Sequence, residues 1–197
     1  MMEMFLAVLI LCSEVQDRES LRFVYSLEQG HDDSCGLQVL ACLLDVYWGF
    51  PADEEGLADE LRGIGRRRDG LTVSFGELSL LLSRRGFIAE AWQMGYEGLA
   101  EACRRWAPVI VHLALPEGHF ALLLEADEKS TVLADPASGL VVVEREDFQT
   151  CWTGMALLVA RPGAVPPSAT IRAAVESVRG PERLLEKAAR RLPEALR

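Results

Sequence analysis

A cysteine, a histidine and an aspartate occur in this chain in an order and setting that could carry out acyl transfer. Cys35 lies in Gln29-Gly-His-Asp-Asp-Ser-Cys35-Gly36, directly after a polar turn. The apolar residues that follow, Leu37, Val39, Leu40, Ala41, Leu43, Leu44 and Val46, have the spacing of a helix with a wide buried face. A thiol attacks as its thiolate, and a free thiol ionises near pH ~8.5. The first N–H groups of a helix lack partners and carry partial positive charge, which favours the anion. Asp33 or Ser34 fits the N-cap. Taken alone, Cys35 would read as a small buried residue, as free cysteines usually are.

Its partners change that balance. His119 stands in Pro108-Val-Ile-Val-His-Leu-Ala-Leu-Pro-Glu-Gly-His119-Phe-Ala-Leu-Leu-Leu, two apolar strands joined by a short turn at residues 116–118. A side chain at the start of the second strand is both held and exposed. Asp135 ends the next apolar run and precedes the turn Pro136-Ala-Ser-Gly139. Adjacent strands would bring the two residues together. The carboxylate is then expected to bond Nδ1–H and orient the ring, leaving Nε2 for the thiol. A hairpin-edge histidine and an aspartate that serves only its own turn are the commoner roles for each residue singly. His112 and His31 are rival bases. His112 is mid-strand, with the look of a buried residue, and His31 is too near Cys35 in sequence to face it across a cleft.

The elements that must position these residues fall in two blocks. Residues 13–30 read as a polar lead-in with a short extended piece at 21–25. A helix from Cys35 to about Tyr47 is ended by Gly49-Phe-Pro51, and Asp53 caps a second through about Leu61. Residues 63–70 form a loop with three arginines. Ser74 and Glu77 make a capping box for a helix that turns Leu78, Leu81 and Leu82 inward and stops at Gly86. A strand at 87–92 and a helix at 96–106 follow. After Pro108 come strands near 109–115, 119–126, 130–135, 139–144 and 155–160, separated by short turns, the pattern of an antiparallel sheet. Helices first and strands afterwards is an α+β order. Residues 163–170 read as a linker and 171–197 as a basic, amphipathic helical pair broken at Gly180-Pro181. That pair could pack on the core, dock a partner or touch anionic lipid.

Gln29, Cys35-Gly36, His119-Phe120 and Asp135-Pro136, together with Phe148-Gln-Thr-Cys-Trp152-Thr-Gly154, resemble in order and spacing the double-glycine cysteine peptidases, the bacteriocin-processing family of the papain-like group. The resemblance covers about residues 20–162. It implies a papain-like cysteine peptidase fold, in which a helical half bearing the nucleophile helix packs on an antiparallel sheet. It implies Cys35 as nucleophile, His119 as base and Asp135 as orienter. Gln29 would supply the side-chain donor of the oxyanion hole beside the Cys35 backbone N–H. The Asp-x-Ser-Cys-Gly arrangement is more similar to a standalone, exported branch than to the transporter-fused members. No Walker A glycine loop follows the region of resemblance.

Composition narrows the alternatives. The formal net charge is −10, so sequence-independent binding of nucleic acid is not expected. The charge is uneven: residues 171–197 hold seven Lys/Arg against four Glu. The five cysteines, at 12, 35, 42, 103 and 151, show neither zinc-ligand spacing nor a disulfide framework. Neither metal nor organic cofactor is required. Residues 1–19 contain the apolar run Phe5–Cys12, shorter than the ~20 residues of a membrane span. The run fits a secretory signal without basic residues ahead of it, or a segment packed on the core. By the resemblance the protein is expected to be exported, periplasmic or membrane-associated, with a cytoplasmic location as the alternative.

The expected function is hydrolysis of a peptide bond in a leader or secreted peptide, after small residues such as Gly-Gly. A secretion system or transporter is the expected partner, and membrane contact could run through either terminus. The alternatives are a module that holds export substrates without cleaving them and a papain-like acyltransferase.

Overall fold

The structure is a computed structural model that describes residues 24–27, 34–65, 72–114 and 118–191. Its centre is a six-stranded antiparallel sheet of β1 (Ile88–Gln93), β2 (Val109–Leu113), β3 (His119–Ala126), β4 (Ser130–Asp135), β5 (Gly139–Glu144) and β6 (Trp152–Ala160), in the order β1-β6-β2-β3-β4-β5. The three strands β2, β3 and β4 are apolar almost without alternation because helices cover both faces. Ile110, Leu122, Leu124, Val132 and Ala134 point to one layer and Val109, Val111, Ala121, Leu123 and Leu133 to the other. Alternate side chains of a strand leave on opposite faces, so a strand covered on both must be apolar throughout.

The first layer is made by α1 (Cys35–Cys42), α2 (Glu54–Gly63) and α3 (Phe75–Ser83). The helix at Cys35 was expected to run unbroken to Tyr47. It is α-helical only to Cys42 and continues as a π-helical stretch over Leu43–Tyr47. The last residue of that stretch is anchored, with the Tyr47 hydroxyl donating to the Tyr25 carbonyl at 2.8 Å. Val24 and Tyr25 lie in a turn, not in the extended piece that their β-branched and aromatic character suggested. Caps fix the other two helices. Asp53 accepts from Gly56 N–H at 2.8 Å. Ser74 and Glu77 form the reciprocal capping box read from the sequence. Gly86 takes the positive φ, 76°, that closes the turn after α3.

The second layer is α4 (Tyr96–Trp106) and the short α5 (Arg145–Cys151). Tyr96, Leu99, Ala100 and Cys103 share one face of α4, as the i, i+3, i+4, i+7 rule requires, and bury it on the sheet. No periodic signal marks α5, which is too short for one. It is fixed instead by Phe148, fully buried and stacked on Trp152 with ring centroids 5.6 Å apart.

Beyond the sheet the helical pair expected around Gly180-Pro181 is one continuous helix, α6 (Ser168–Arg191). Proline removes one hydrogen bond, but the clash that bars the residue before it from helical angles involves that residue's Cβ, and Gly180 has none. Ala174 and Val175 are buried in the first layer, with Ile171 and Val178 partly so. Among the described residues no helix is long and apolar enough to cross a membrane.

Candidate active site

The site is assembled where α1 begins and where β3 starts beside the end of β4. Gly36 to Cys42 are all buried, while Cys35 is half-buried. The core therefore grips the helix and leaves its first side chain in contact with solvent. Ser34 precedes the helix without making a side-chain cap, contrary to the role expected of it. Asp33, Gln29 and His31 lie outside the described residues.

Gly36 sets the distance between the two halves. A Cβ there would stand 2.3 Å from Val73 Cγ2 and 3.0 Å from Phe120 Cδ2. The glycine after the cysteine thus lets β3 close on α1 and carries His119, next to Phe120, towards the sulfur. Replacing Gly36 by alanine should destabilise the fold by about 1–3 kcal/mol through overpacking. The same change should lower activity, because the strand that bears the imidazole is pushed away. Urea unfolding and peptide hydrolysis, measured side by side, check both.

His119 is the first residue of β3. Its Nε2–H donates to Asp135 Oδ2 at 2.7 Å, and the Cys35 side chain lies near enough to the ring to act on its protonation. The three residues singled out by type and order therefore come together, but the ring is used the other way round. Nδ1 was expected to face the carboxylate and Nε2 the thiol; Nε2 faces the carboxylate. The register explains this. Leu122 pairs with Ala134, so Asp135 falls opposite Ala121, and His119 is two residues away on the diagonal. Diagonal neighbours are ~7–8 Å apart, a gap that the far nitrogen of the ring spans and the near one does not.

Asp135 serves two partners at once. Oδ1 accepts from Ala137 N–H at 2.7 Å and Ser138 N–H at 2.8 Å, which closes the turn after β4. Oδ2 is left for the imidazole. Its main-chain carbonyl accepts from the hydroxyl of Ser26, which is buried, at 3.0 Å. Ser26 was missed by sequence reasoning: a serine 109 residues away has no spacing signal to find it by.

Burial favours the neutral imidazole and is the largest single influence on His119. The hydrogen bond to Asp135, the nearby Cys35 side chain and the negative charge of both outweigh it, and the ring is raised to about 9. Burial also acts to raise Asp135, but the hydrogen bond and charge of His119 and the N–H groups of Ser138 and Ala137 hold it below the usual carboxylate value. Because His119 is raised on folding, its contribution to stability is complete below the unfolded value of ~6.5. That contribution is lost as the pH climbs through about 9. Because Asp135 is lowered, its contribution is complete above ~3.9 and disappears as the pH falls. The difference in stability between wild type and His119→Ala should therefore be largest near pH 5–6 and shrink by on the order of 3 kcal/mol towards pH ~10, where only the packing of the neutral ring is left. Thermal unfolding across that range checks it; a constant difference would contradict the assignment.

The other described cysteines are differently placed. Burial pushes Cys42 and Cys103 up to about 12, and it raises Cys151 as well. His112, the rival base, is half-buried near the end of β2, with Nδ1 3.3 Å from Thr153 Oγ1. A cavity of about 340 Å³ between α4, α6 and the end of β3 lies far along that strand from His119, at Leu124, Glu125 and Ala126, and takes no part in the site. No cluster of metal-ligating side chains occurs among the described residues.

A helical layer whose first residue is a thiol, packed on an antiparallel sheet that presents an imidazole and a carboxylate, is the papain-like cysteine peptidase architecture. The chain belongs to the peptidase C39 family, which it matches over residues 24–163, and it is a cysteine peptidase. It is 27% identical over 161 residues, 78% of this chain and 68% of the relative, to the probable functional amyloid protease FapD of Pseudomonas fluorescens. Over 44 residues, 22% of this chain, it is 43% identical to an uncharacterized protein of Methanothermobacter thermautotrophicus, and it spans 31% of that protein's length. Two crystal structures share the fold. One is a double glycine motif protease from an AMS/PCAT transporter in complex with the leader peptide, with a TM-score of 0.57 and 24% identity, covering 68% of this chain and 89% of that one. The other is the peptidase domain of Streptococcus ComA, with a TM-score of 0.61 and 19% identity, covering 70% of this chain and 98% of that one.

Proposed function

We propose that this peptidase hydrolyses a peptide bond in the leader of a secreted peptide, on the carboxyl side of two small residues such as Gly-Gly. The observation that carries the reading is the half-buried His119 ring, bonded to the Asp135 carboxylate at 2.7 Å and close to the Cys35 side chain.

In the proposed mechanism His119 holds the proton of Cys35, and the sulfur attacks the scissile carbonyl carbon. Gln29 and the Cys35 backbone N–H stabilise the oxyanion. As the C–N bond breaks, His119 gives its proton to the departing amine and a thioester remains. His119 then takes a proton from water, the resulting hydroxide adds to the thioester, and the thiolate leaves. Asp135 keeps the ring oriented and offsets its positive charge throughout.

The substrate class is supported by relatives of this fold that are named for it. One is crystallised as a double glycine motif protease with its leader peptide, and another is called a functional amyloid protease. The same proposal places the protein on an export route, with a transporter or secretion system as partner. The test is incubation with a panel of synthetic peptides carrying Gly-Gly, Gly-Ala or bulky pairs, read by mass spectrometry. Cleavage after Gly-Gly by wild type and none by Cys35→Ala is the expected result. Cleavage without preference for small residues would sink the specificity. Products joined to an added amine, in place of free acid, would make the protein a transferase.

A further inference from the structure

The chemistry proposed above leaves His112 unused. Its side chain pairs with Phe120 across the β2–β3 ladder, one position along from the pair Leu113–His119. The Thr153 hydroxyl donates to the main-chain carbonyl of His112 at 3.0 Å, and the same oxygen is 3.3 Å from Nδ1. A hydroxyl has one proton, and here it goes to the carbonyl, so the threonine oxygen is the acceptor for Nδ1–H. A neutral ring protonated on Nδ1 carries its lone pair on Nε2. Burial, and then the positive charge of His119, push this imidazole below its ordinary value, which keeps it neutral. No donor among the described residues is bonded to Nε2.

The surroundings of that lone pair are ordered. His112 and Phe120 meet edge to face at 5.0 Å, Phe75 and Phe120 at 5.2 Å, and Phe75 and His112 at 6.3 Å. Phe75 is the first residue of α3, and Phe120 rests on Gly36, beside the nucleophile. Phe75 and His112 are half-buried, so the three-ring wall is open to an incoming chain. Gly118 borders Nε2. It has a φ of 76°, and a Cβ on it would stand 3.0 Å from that atom. A side chain would crowd the lone pair; glycine leaves it accessible.

We propose that Phe75, His112 and Phe120 form a peptide subsite next to Cys35, in which His112 Nε2 accepts a hydrogen bond from a backbone N–H of the substrate. The inference rests on the peptidase reading and adds the residue that sets how the peptide lies. Aromatic walls offer a small-residue segment apolar contact and nothing to hydrogen-bond. In glycine pairs the only polar groups are those of the backbone. A single half-buried acceptor therefore fixes the register of the chain over the sulfur, and the bond is completed only when substrate is present.

Two measurements test it. In wild type near pH 7, imidazole nitrogen spectra should show His112 protonated on Nδ1 and bare on Nε2; a proton on Nε2, or a charged ring, overturns the proposal. With a fluorogenic peptide ending in Gly-Gly-aminomethylcoumarin, His112→Phe keeps a ring and loses the acceptor. It should raise KM by about three- to tenfold, the worth of one neutral hydrogen bond, with the loss falling on KM and not on kcat. His112→Gln, whose amide oxygen can accept, should lie nearer wild type, which a merely structural role would not produce. A wild-type KM in His112→Phe overturns the subsite. Should His112→Phe fail to fold, His112→Gln and the wild-type spectra decide. A wild type that leaves this peptide intact refutes the Gly-Gly reading, and the subsite then stands or falls on the imidazole proton.

Discussion

Replacing His119 by alanine should remove almost all peptide hydrolysis, lowering kcat by about four orders of magnitude or more. One ring has three tasks in the mechanism: it takes the proton from the thiol, stabilises the thiolate as an adjacent cation, and returns the proton to the leaving amine. No neighbouring group can inherit them. His112 stands apart from the Cys35–His119–Asp135 set, its Nδ1 bonded to Thr153 with no carboxylate partner among the described residues, and its ring is pushed towards the neutral form, so it cannot supply the cation. A substrate-free readout separates this loss from misfolding. Alkylation of Cys35 by iodoacetamide at pH ~7, read by mass spectrometry of the Cys35 peptide, should slow in His119→Ala, because the ring that takes the thiol proton is gone. Burial holds Cys42 and Cys103 up at about 12 and raises Cys151, and the peptide readout separates the Cys35 adduct from any other. Equal rates would remove His119 from the mechanism.

Asp135→Asn should come next in size, with a fall in kcat of about two to four orders of magnitude. The division of labour between the two carboxylate oxygens makes this variant informative. The amide oxygen of asparagine can still accept from Ala137 and Ser138 N–H, so the turn after β4 survives. The amide nitrogen then faces His119 Nε2 and can only donate. Nε2 must become the acceptor, and the ring proton moves to Nδ1, on the side of Cys35, where it blocks uptake of the thiol proton. The variant should therefore still fold, with a Tm lowered only by the loss of the charged bond to His119, and be nearly inactive. Asp135→Ala should be as inactive and distinctly less stable, because it loses the turn as well. An active Asp135→Asn, within about tenfold of wild type, would show that the carboxylate serves only the turn.

The two roles weighed for Asp135 from the sequence, turn former and orienter, proved not to be alternatives. A residue type and its spacing name the groups on offer but not which oxygen meets which donor. The same limit explains the reversed imidazole. Order along the chain brought Cys35, His119 and Asp135 together, while the ring's orientation follows from a two-residue diagonal in the β3–β4 register that no periodicity encodes. Local chemistry was legible: the Ser74–Glu77 box and the Asp53 cap involve partners three residues apart and appear as expected. So were strands flanked by short turns. The helix start at Cys35 was readable from its apolar face, but the π-helical stretch after Cys42 was not, since both kinds of turn bury the same residues there. Ser26 and Thr153 meet their partners only through tertiary folding; nothing near Ser26 marks it, and the segment around Thr153 does not name His112 as its partner.

The family match ends at residue 163, but the buried interior does not. Ala174 and Val175 share the first layer with Leu124 and Leu140, and the Arg179 guanidinium, itself buried, reaches back to within 2.6 Å of Glu125, 3.2 Å of Asp127 and 3.0 Å of Ser130. Trimming the gene at the border of that match would strip the lid from greasy wall and take the cation from two acids at once. Removing α6 should therefore destabilise the peptidase fold itself, and loss of activity in such a fragment would say nothing about the cysteine.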